Sequence, residues 1–255
     1  MELTIVLSFL VVVIAFACEY MDASIGMGYG TTLTPVLLVL GFSPLEVVPS
    51  VLLGQILGGL IGGFFHYKLG NVKLNINSID AKVISVLAGF GVIGSLIAVF
   101  FAINISAMVL KTYIGLMVLS IGIVILLKKN SEGEVSWLRL IIVAIVSAFN
   151  KGLSGGGYGP LVTGGQLISG RETSNSVGST TIAETIVCMV AFLSYIYTSQ
   201  NIFWKLAFAT SLGSILASPL AALTVKKVND KNLKTVIGFI TSFLGTLTLI
   251  KTFIF

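Results

Sequence analysis

The sequence predicts an all-α integral membrane protein. Two inverted-topology repeats of about five hydrophobic segments each are expected, with glycine-rich broken or re-entrant helices near the midplane. Three observations carry this. Hydrophobic residues make up 56% of the 255 and charged residues 10%, whereas a soluble domain carries about 25% charged residues; the mean hydropathy is +1.05. The apolar stretches are also long: 80–101 runs for 22 positions, about 33 Å of helix and enough to cross a bilayer. Finally, a glycine-rich stretch near the start of each half recurs after 129 positions, Gly26 falling on Gly155.

Ten hydrophobic segments are legible: 3–20, 29–41, 45–66, 80–101, 106–127, 138–151, 158–169, 174–198, 201–224 and 233–254. The first has Glu2 instead of a basic leader region, so it reads as a membrane segment and not as a signal peptide. Segments 29–41 and 158–169 are short of the roughly 20 residues a crossing needs. Each follows another segment across glycines, which makes both pairs candidates for broken helices or re-entrant hairpins. Irregular backbone at that depth requires protein or a wet cavity around it.

Positive charge sets the expected orientation. Lys68, Lys73 and Lys82 lie in or beside 67–79, Lys128, Lys129 and Arg139 in or beside 128–137, Arg171 in 170–173, and Lys226, Lys227, Lys231 and Lys234 near 225–234. The alternate connections, around 41–44, 103–105 and 199–201, hold no Lys or Arg. The first set is expected in the cytoplasm and both termini outside it, in a cytoplasmic (inner) membrane. The net charge of +5 therefore marks loops and implies no nucleic acid. Lys111 is expected to snorkel, and the single histidine, His66, to lie at an interface.

The repeat is carried by the breaks. Gly26, Gly28, Tyr29 and Gly30 fall on Gly155, Gly157, Tyr158 and Gly159, and Thr34, Leu38, Gly41 and Ser50 fall on Thr163, Leu167, Gly170 and Ser179. Residues 1–130 are thus expected as one transmembrane repeat and 131–255 as a second. An odd number of segments per repeat inverts the second copy, the pattern of secondary transporters with a midplane site.

Each break places bare backbone N–H groups and a helix N-terminus where an anion could bind. Pro160 suits the first turn of such a helix. The candidate substrate-binding residues are Ser24, Gly26, Gly28, Tyr29 and Thr31 in the first break and Lys151, Ser154, Gly155, Gly156, Gly157 and Tyr158 in the second, with Thr32 as a further hydroxyl. Close helix packing is the competing use of such glycines, and it fits Gly54, Gly58 and Gly62 better. The Gly-x-Gly spacing is no nucleotide fingerprint, because neither a βαβ unit nor Gly-Lys-Ser/Thr accompanies it.

Ionisable groups in a membrane are functional candidates by default. Here they are Glu19, Asp22, Lys151 and Glu184, with the amide Gln55 as the repeat mate of Glu184. Asp22 and Lys151 are also mates and are expected to face one another; Lys151 would attract an anion while Asp22 keeps that lysine ionised and positioned, a purely structural ion pair being the alternative. Glu184 is the expected carrier of a coupling proton, an interhelical hydrogen bond being the alternative. Cys18 and Cys188 sit in apolar runs as small buried hydrophobes. No metal-ligand spacing occurs, and neither metal nor cofactor is expected.

The two glycine-rich breaks, the length near 250 and the short segment ending Gly41-Phe42-Ser43-Pro44 resemble the sulfite exporter TauE/SafE family, also called the 4-toluene sulfonate uptake permease family. The resemblance covers essentially the whole chain. It implies an integral transporter of sulfur-containing anions such as sulfite, sulfonates or sulfoacetate, with membrane lipid, a small anion and a candidate coupling proton as partners. Two rivals stand beside it. A passive anion channel would need no coupling group. An intramembrane enzyme would need a nucleophile–base or paired-carboxylate constellation, for which Glu19 and Asp22 are the nearest residues; Lys151 and the duplication argue against it.

Overall fold

The computed structural model describes residues 4–127, 136–169, 171–199, 202–225, 227 and 230–254. Among them the chain forms only helices: α1 Ile5–Ile25, α2 Tyr29–Val39, α3 Pro44–Lys68, α4 Ile79–Asn104, α5 Ala107–Leu127, α6 Trp137–Ser154, α7 Tyr158–Ile168, α8 Thr173–Ser199, α9 Trp204–Thr224 and α10 Asp230–Ile254. Seven of these helices are long and apolar enough to cross a membrane. Lys128, Lys129 and Lys226, and the side chains of Lys231 and Lys234, fall outside the described residues.

The helices follow the ten hydrophobic segments, and the largest departures are at the breaks. α1 runs on to Ile25 and α6 to Ser154, so Glu19, Asp22, Ser24, Lys151 and Ser154 are helical, and each irregular stretch is only three residues long. Polar side chains end an apolar run without ending a helix, because the backbone ladder does not depend on hydropathy. Ser24 even folds its hydroxyl onto the Tyr20 carbonyl at 2.6 Å. What ends both helices is a glycine in the left-handed region: Gly26 at φ 76° donates to the Asp22 carbonyl, and Gly155 at φ 73° to that of Lys151. α3 restarts on a capping box between Ser43 and Glu46.

The short helices fold back. α1 and α9 run parallel, since Gly213 packs on Val12 and Phe16 while Ser218 reaches Glu19. α2 then returns to the end where both began: Lys251 of α10 donates to the Val39 carbonyl at 2.6 Å, and Phe42 meets Phe203 just before α9. At the other end α4 and α6 start together, with Gly94 against Ile145 and Gly152 against Ser95. α7 returns there too, and Arg171 beyond it pairs with Asp80 in the first turn of α4. Two helical hairpins thus enter from opposite ends, here called the Phe42 end and the Arg171 end.

α3 and α8 lie at the centre, each 72% buried over its apolar window against 28% for α1 and 33% for α5. The outward faces are apolar, with Phe9, Phe100, Phe208, Leu216 and Phe243 exposed, which suits lipid. His66, expected at an interface, is instead fully buried. Its Nε2–H donates to the Ala23 carbonyl (3.1 Å), and Asn71 donates to its Nδ1 (3.1 Å) while reaching the Ala222 carbonyl (3.0 Å). A polar ring is accommodated there because each nitrogen has a partner. Lys111 is half-buried.

Candidate functional site

The two breaks cross in backbone contact. A Cβ on Gly30 would collide with the Gly155 carbonyl oxygen, one on Gly156 would come within 2.8 Å of the Gly30 carbonyl, and one on Gly159 within 2.5 Å of the Gly26 carbonyl. Only residues without side chains let two chains approach so closely. The contacts come in pairs under the 129-residue shift: Gly30 meets Gly155 as Gly159 meets Gly26, and Gly155 abuts Thr34 as Gly26 abuts Thr163.

Beside the crossing runs a buried polar chain of four residues from α1, α3, α6 and α8. Gln55 Nε2 donates to Asp22 Oδ2 (3.2 Å), Lys151 Nζ donates to Gln55 Oε1 (3.2 Å), and Lys151 Nζ pairs with Glu184 Oε1 at 2.6 Å. Asp22 and Lys151 therefore do not meet directly as expected. The amide of Gln55 stands between them, and the ion-pair partner of Lys151 is Glu184. Asp22 turns its other oxygen to the N-terminus of α2, accepting from Tyr29 N at 3.3 Å. At α7 the matching residue is Lys151, and among the described residues no carboxylate hydrogen-bonds the first turn.

The remaining expected residues divide by what their polar atoms touch. Thr31 Oγ1 joins the breaks by accepting from Gly157 N (3.1 Å). Ser154 Oγ donates to the Asn150 carbonyl (2.6 Å) and accepts from Gly156 N (3.1 Å), so it caps its own turn, whereas Ser24 Oγ only donates back to the Tyr20 carbonyl. The Tyr29 hydroxyl leaves the crossing and donates to the Thr210 carbonyl on α9 (3.2 Å). Buried Thr32 Oγ1, Thr34 Oγ1 and Tyr158 OH have no hydrogen-bond partner among the described residues. Glu19 stands apart, against Ser218 of α9 (3.0 Å). No group of three or more His, Cys, Asp or Glu side chains that could hold a metal occurs among the described residues.

A cavity of about 730 Å³ lies between α5, α6 and α7. It extends from Arg139 and Arg171 to Met27, Met117, Asn150 and Pro160. Its inner end thus reaches the crossing, while Lys151, with 1% of its side chain exposed, lies sealed behind. Among the described residues α2, unlike α7, is packed along α10 and α5. Two groups beside this space escaped the sequence reading. Asn150, hydrogen-bonded to the Tyr113 hydroxyl, lines the inner end. Gln166 on α7 ties Arg171 (2.5 Å), Ser179 (2.8 Å) and Thr180 (2.9 Å) together. An amide within the short apolar run 158–169 was the available signal for the second, and Asn150 directly before Lys151 for the first.

The model of the family described as sulfite exporter TauE/SafE matches residues 10–248. A curated relative, the probable membrane transporter protein YtnM of Bacillus subtilis (strain 168), is 26% identical over 253 residues, which cover 94% of this chain and 82% of that protein. No solved structure matches. Membrane-crossing helices, buried charge between them and a family match over nearly the whole length agree: this chain belongs to the TauE/SafE sulfite exporter family, a family of multi-pass membrane transporters and not of enzymes.

Proposed function

We propose that the protein is a secondary transporter of a small anion, a sulfur oxyanion such as sulfite or a sulfonate, and that residues 1–130 and 131–255 act as inverted repeats exchanging roles. The observation that carries the reading is the crossing of the two glycine breaks at the inner end of a cavity that borders α7. Pairing of contacts under the 129-residue shift supports the duplication, and a cavity beside α7 with α2 packed along α10 and α5 is what one conformation of an alternating-access cycle would display. The name of the matched family supports a sulfur anion.

The N-terminus of α7 is the principal anion-binding group in this reading, since Asp22 already fills that of α2. The hydroxyls of Thr32 and Thr34, without a partner among the described residues, complete it. Lys151 adds attraction, in competition with Glu184. Loop charge supports a cytoplasmic Arg171 end with both termini on the outer side of an inner membrane, although Lys111, Lys205 and Lys251 lie toward the opposite end. Reporter fusions at residue 255 and within 128–137 should label opposite faces; the same face for both would overturn this topology.

Purified protein in liposomes should exchange radiolabelled sulfite for internal sulfite faster than protein-free vesicles. Unlabelled thiosulfate, sulfonates and carboxylates should then be compared as competitors. Competition by carboxylates alone would remove the sulfur assignment. Conduction of sulfite as a current without trans-stimulated exchange would replace the transporter by a channel.

A further inference from the structure

We propose that Glu19 is a proton-binding site of this transporter, set in a hydroxyl-lined niche between α1, α3 and α9 and separate from the polar chain around Lys151. It rests on the transport reading for one of its two readouts only.

The niche has no cation for a carboxylate. Glu19 is fully buried, and the ion pairs among the described residues are Lys151 with Glu184 and Arg171 with Asp80. Glu19 Oε2 has no hydrogen-bond partner among those residues. Oε1 has Ser218 Oγ at 3.0 Å, but that hydroxyl also lies 2.8 Å from the Ser214 carbonyl one turn earlier. One hydroxyl carries one proton and cannot donate to both acceptors. With that proton in the helical back-bond, the Glu19 contact needs a hydrogen from the carboxyl group itself. An ionised Glu19 would hold two buried oxygens, one of them without a partner, against only the neutral hydroxyls of Ser218 and Ser214, an arrangement that burial makes costly.

The groups facing Glu19 point the same way. Cys18 and Asp22 lie on its own helix, Tyr29 on α2 and Glu184 on α8. α9 brings Ser214 and Ser218, and α3 brings Gly58, where a Cβ would collide with Ser214 and lie 3.0 Å from Glu19 Oε1. None of these supplies positive charge.

Packing does not require the carboxyl group. Under the 129-residue shift Glu19 falls on Ala148 (19 + 129), which closes the α4–α6 contact against Gly91. The same kind of helix contact is therefore built once with a methyl group and once with a carboxyl. The expected proton carrier, Glu184, is the less suited of the two here, because Lys151 occupies it at 2.6 Å.

The test has two arms. Infrared spectra of purified protein at neutral pH should contain a carbonyl-stretch band of a protonated carboxylic acid, which Glu19→Gln loses and Glu184→Gln keeps. A spectrum unchanged by Glu19→Gln overturns the proposal. Because glutamine mimics the neutral acid, failure of Glu19→Gln to fold as wild type does would also overturn it. In liposomes, an imposed pH gradient should drive sulfite accumulation beyond that of protein-free vesicles. Glu19→Gln should lose this accumulation while retaining sulfite exchange. Accumulation that follows a sodium gradient instead would assign the niche to a cation and sink the idea. Wild-type protein that moves no sulfite would defeat the sulfite reading, and the infrared arm would still decide Glu19.

Discussion

At the first break the N-terminus of α2 already holds an anion, the Asp22 carboxylate, and α2 lies packed against α10. At the second break Lys151 stands where Asp22 would, and α7 borders the cavity between α5 and α6. Two breaks with paired backbone contacts thus differ: one helix N-terminus donates a hydrogen bond to the chain's own carboxylate, and the other borders a cavity. In the proposed transport reading, one N-terminus being satisfied internally leaves the other for a substrate anion. Lys151 pairs with Glu184 and, through Gln55, is linked to Asp22.

The sharpest way to break this comparison is at the crossing, which belongs to both copies. Gly30→Ala and Gly156→Ala each place a Cβ within contact-forbidden distance of the opposite backbone. Backbone on both sides cannot yield cheaply, so we expect a loss of about 4 kcal/mol or more. That corresponds to a melting temperature lower by roughly 8–16 °C in detergent-solubilised protein. A tolerated substitution on one side alone would mean that the two breaks do not share one rigid contact.

The charges come next. Lys151→Gln leaves Glu184 and Asp22 buried without a cation, and stripping one partner from a buried pair costs about 3–5 kcal/mol. Lys151→Gln with Glu184→Gln should recover most of that loss in expression and thermal stability, because an amide pair replaces the ion pair. Lys151→Gln with Asp22→Asn should recover less, since Glu184 stays bare. Equal rescue by the two doubles would mean that Asp22 and Glu184 share the lysine evenly, against the 2.6 Å pairing with Glu184.

That choice of partner was the part of the site least legible in sequence. Residue spacing placed Asp22, Gln55, Lys151 and Glu184 at matching positions in the two halves, and all four are joined in one chain. Which of them touch depends on how α3 and α8 pass between α1 and α6, and a one-dimensional shift carries no such angle. The ten helices were readable because hydropathy and length decide them. The extent of α1 and α6 was not, because Asp22, Ser24 and Ser154 lower hydropathy without interrupting the hydrogen-bond ladder. The cavity was invisible for another reason: it lies where two elements with ordinary apolar faces, α5 and α7, are not packed together.

Strain should separate the copies further. Gly28 sits at φ 143° and Gly157 at φ 82°, so valine at either position carries roughly 1–3 kcal/mol of backbone strain. The surroundings differ. A Cβ on Gly157 would come 2.9 Å from Met117 and 3.1 Å from Asn150, whereas one on Gly28 would come 3.3 Å from Met21. Both variants should reach the membrane and lose sulfite exchange, with Gly157→Val the less stable of the two. Normal exchange by both would return the breaks to a packing role.

The smallest effects discriminate best between structure and binding among the hydroxyls. Thr31 Oγ1 accepts from Gly157 N, and its counterpart across the repeat, Pro160 (31 + 129), has no hydroxyl to offer in return. Thr31→Val therefore removes a buried hydrogen bond and leaves an N–H without its partner, a loss of about 1–3 kcal/mol. Thr32 and Thr34 have no partner for their hydroxyl oxygens. Valine there keeps the shape and removes an unsatisfied group, so stability should hold within about 0.5 kcal/mol or rise slightly. A hydroxyl kept for structure would leave sulfite competition unchanged when it is lost at no cost in stability. A hydroxyl kept for an anion would show the opposite pattern, with melting temperature held and the competing sulfite concentration raised several-fold. Thr32→Val and Thr34→Val with unaltered competition would leave the main-chain N–H groups of α7 as the anion's binding groups, and the Thr31 result would then report only how tightly the two breaks are joined.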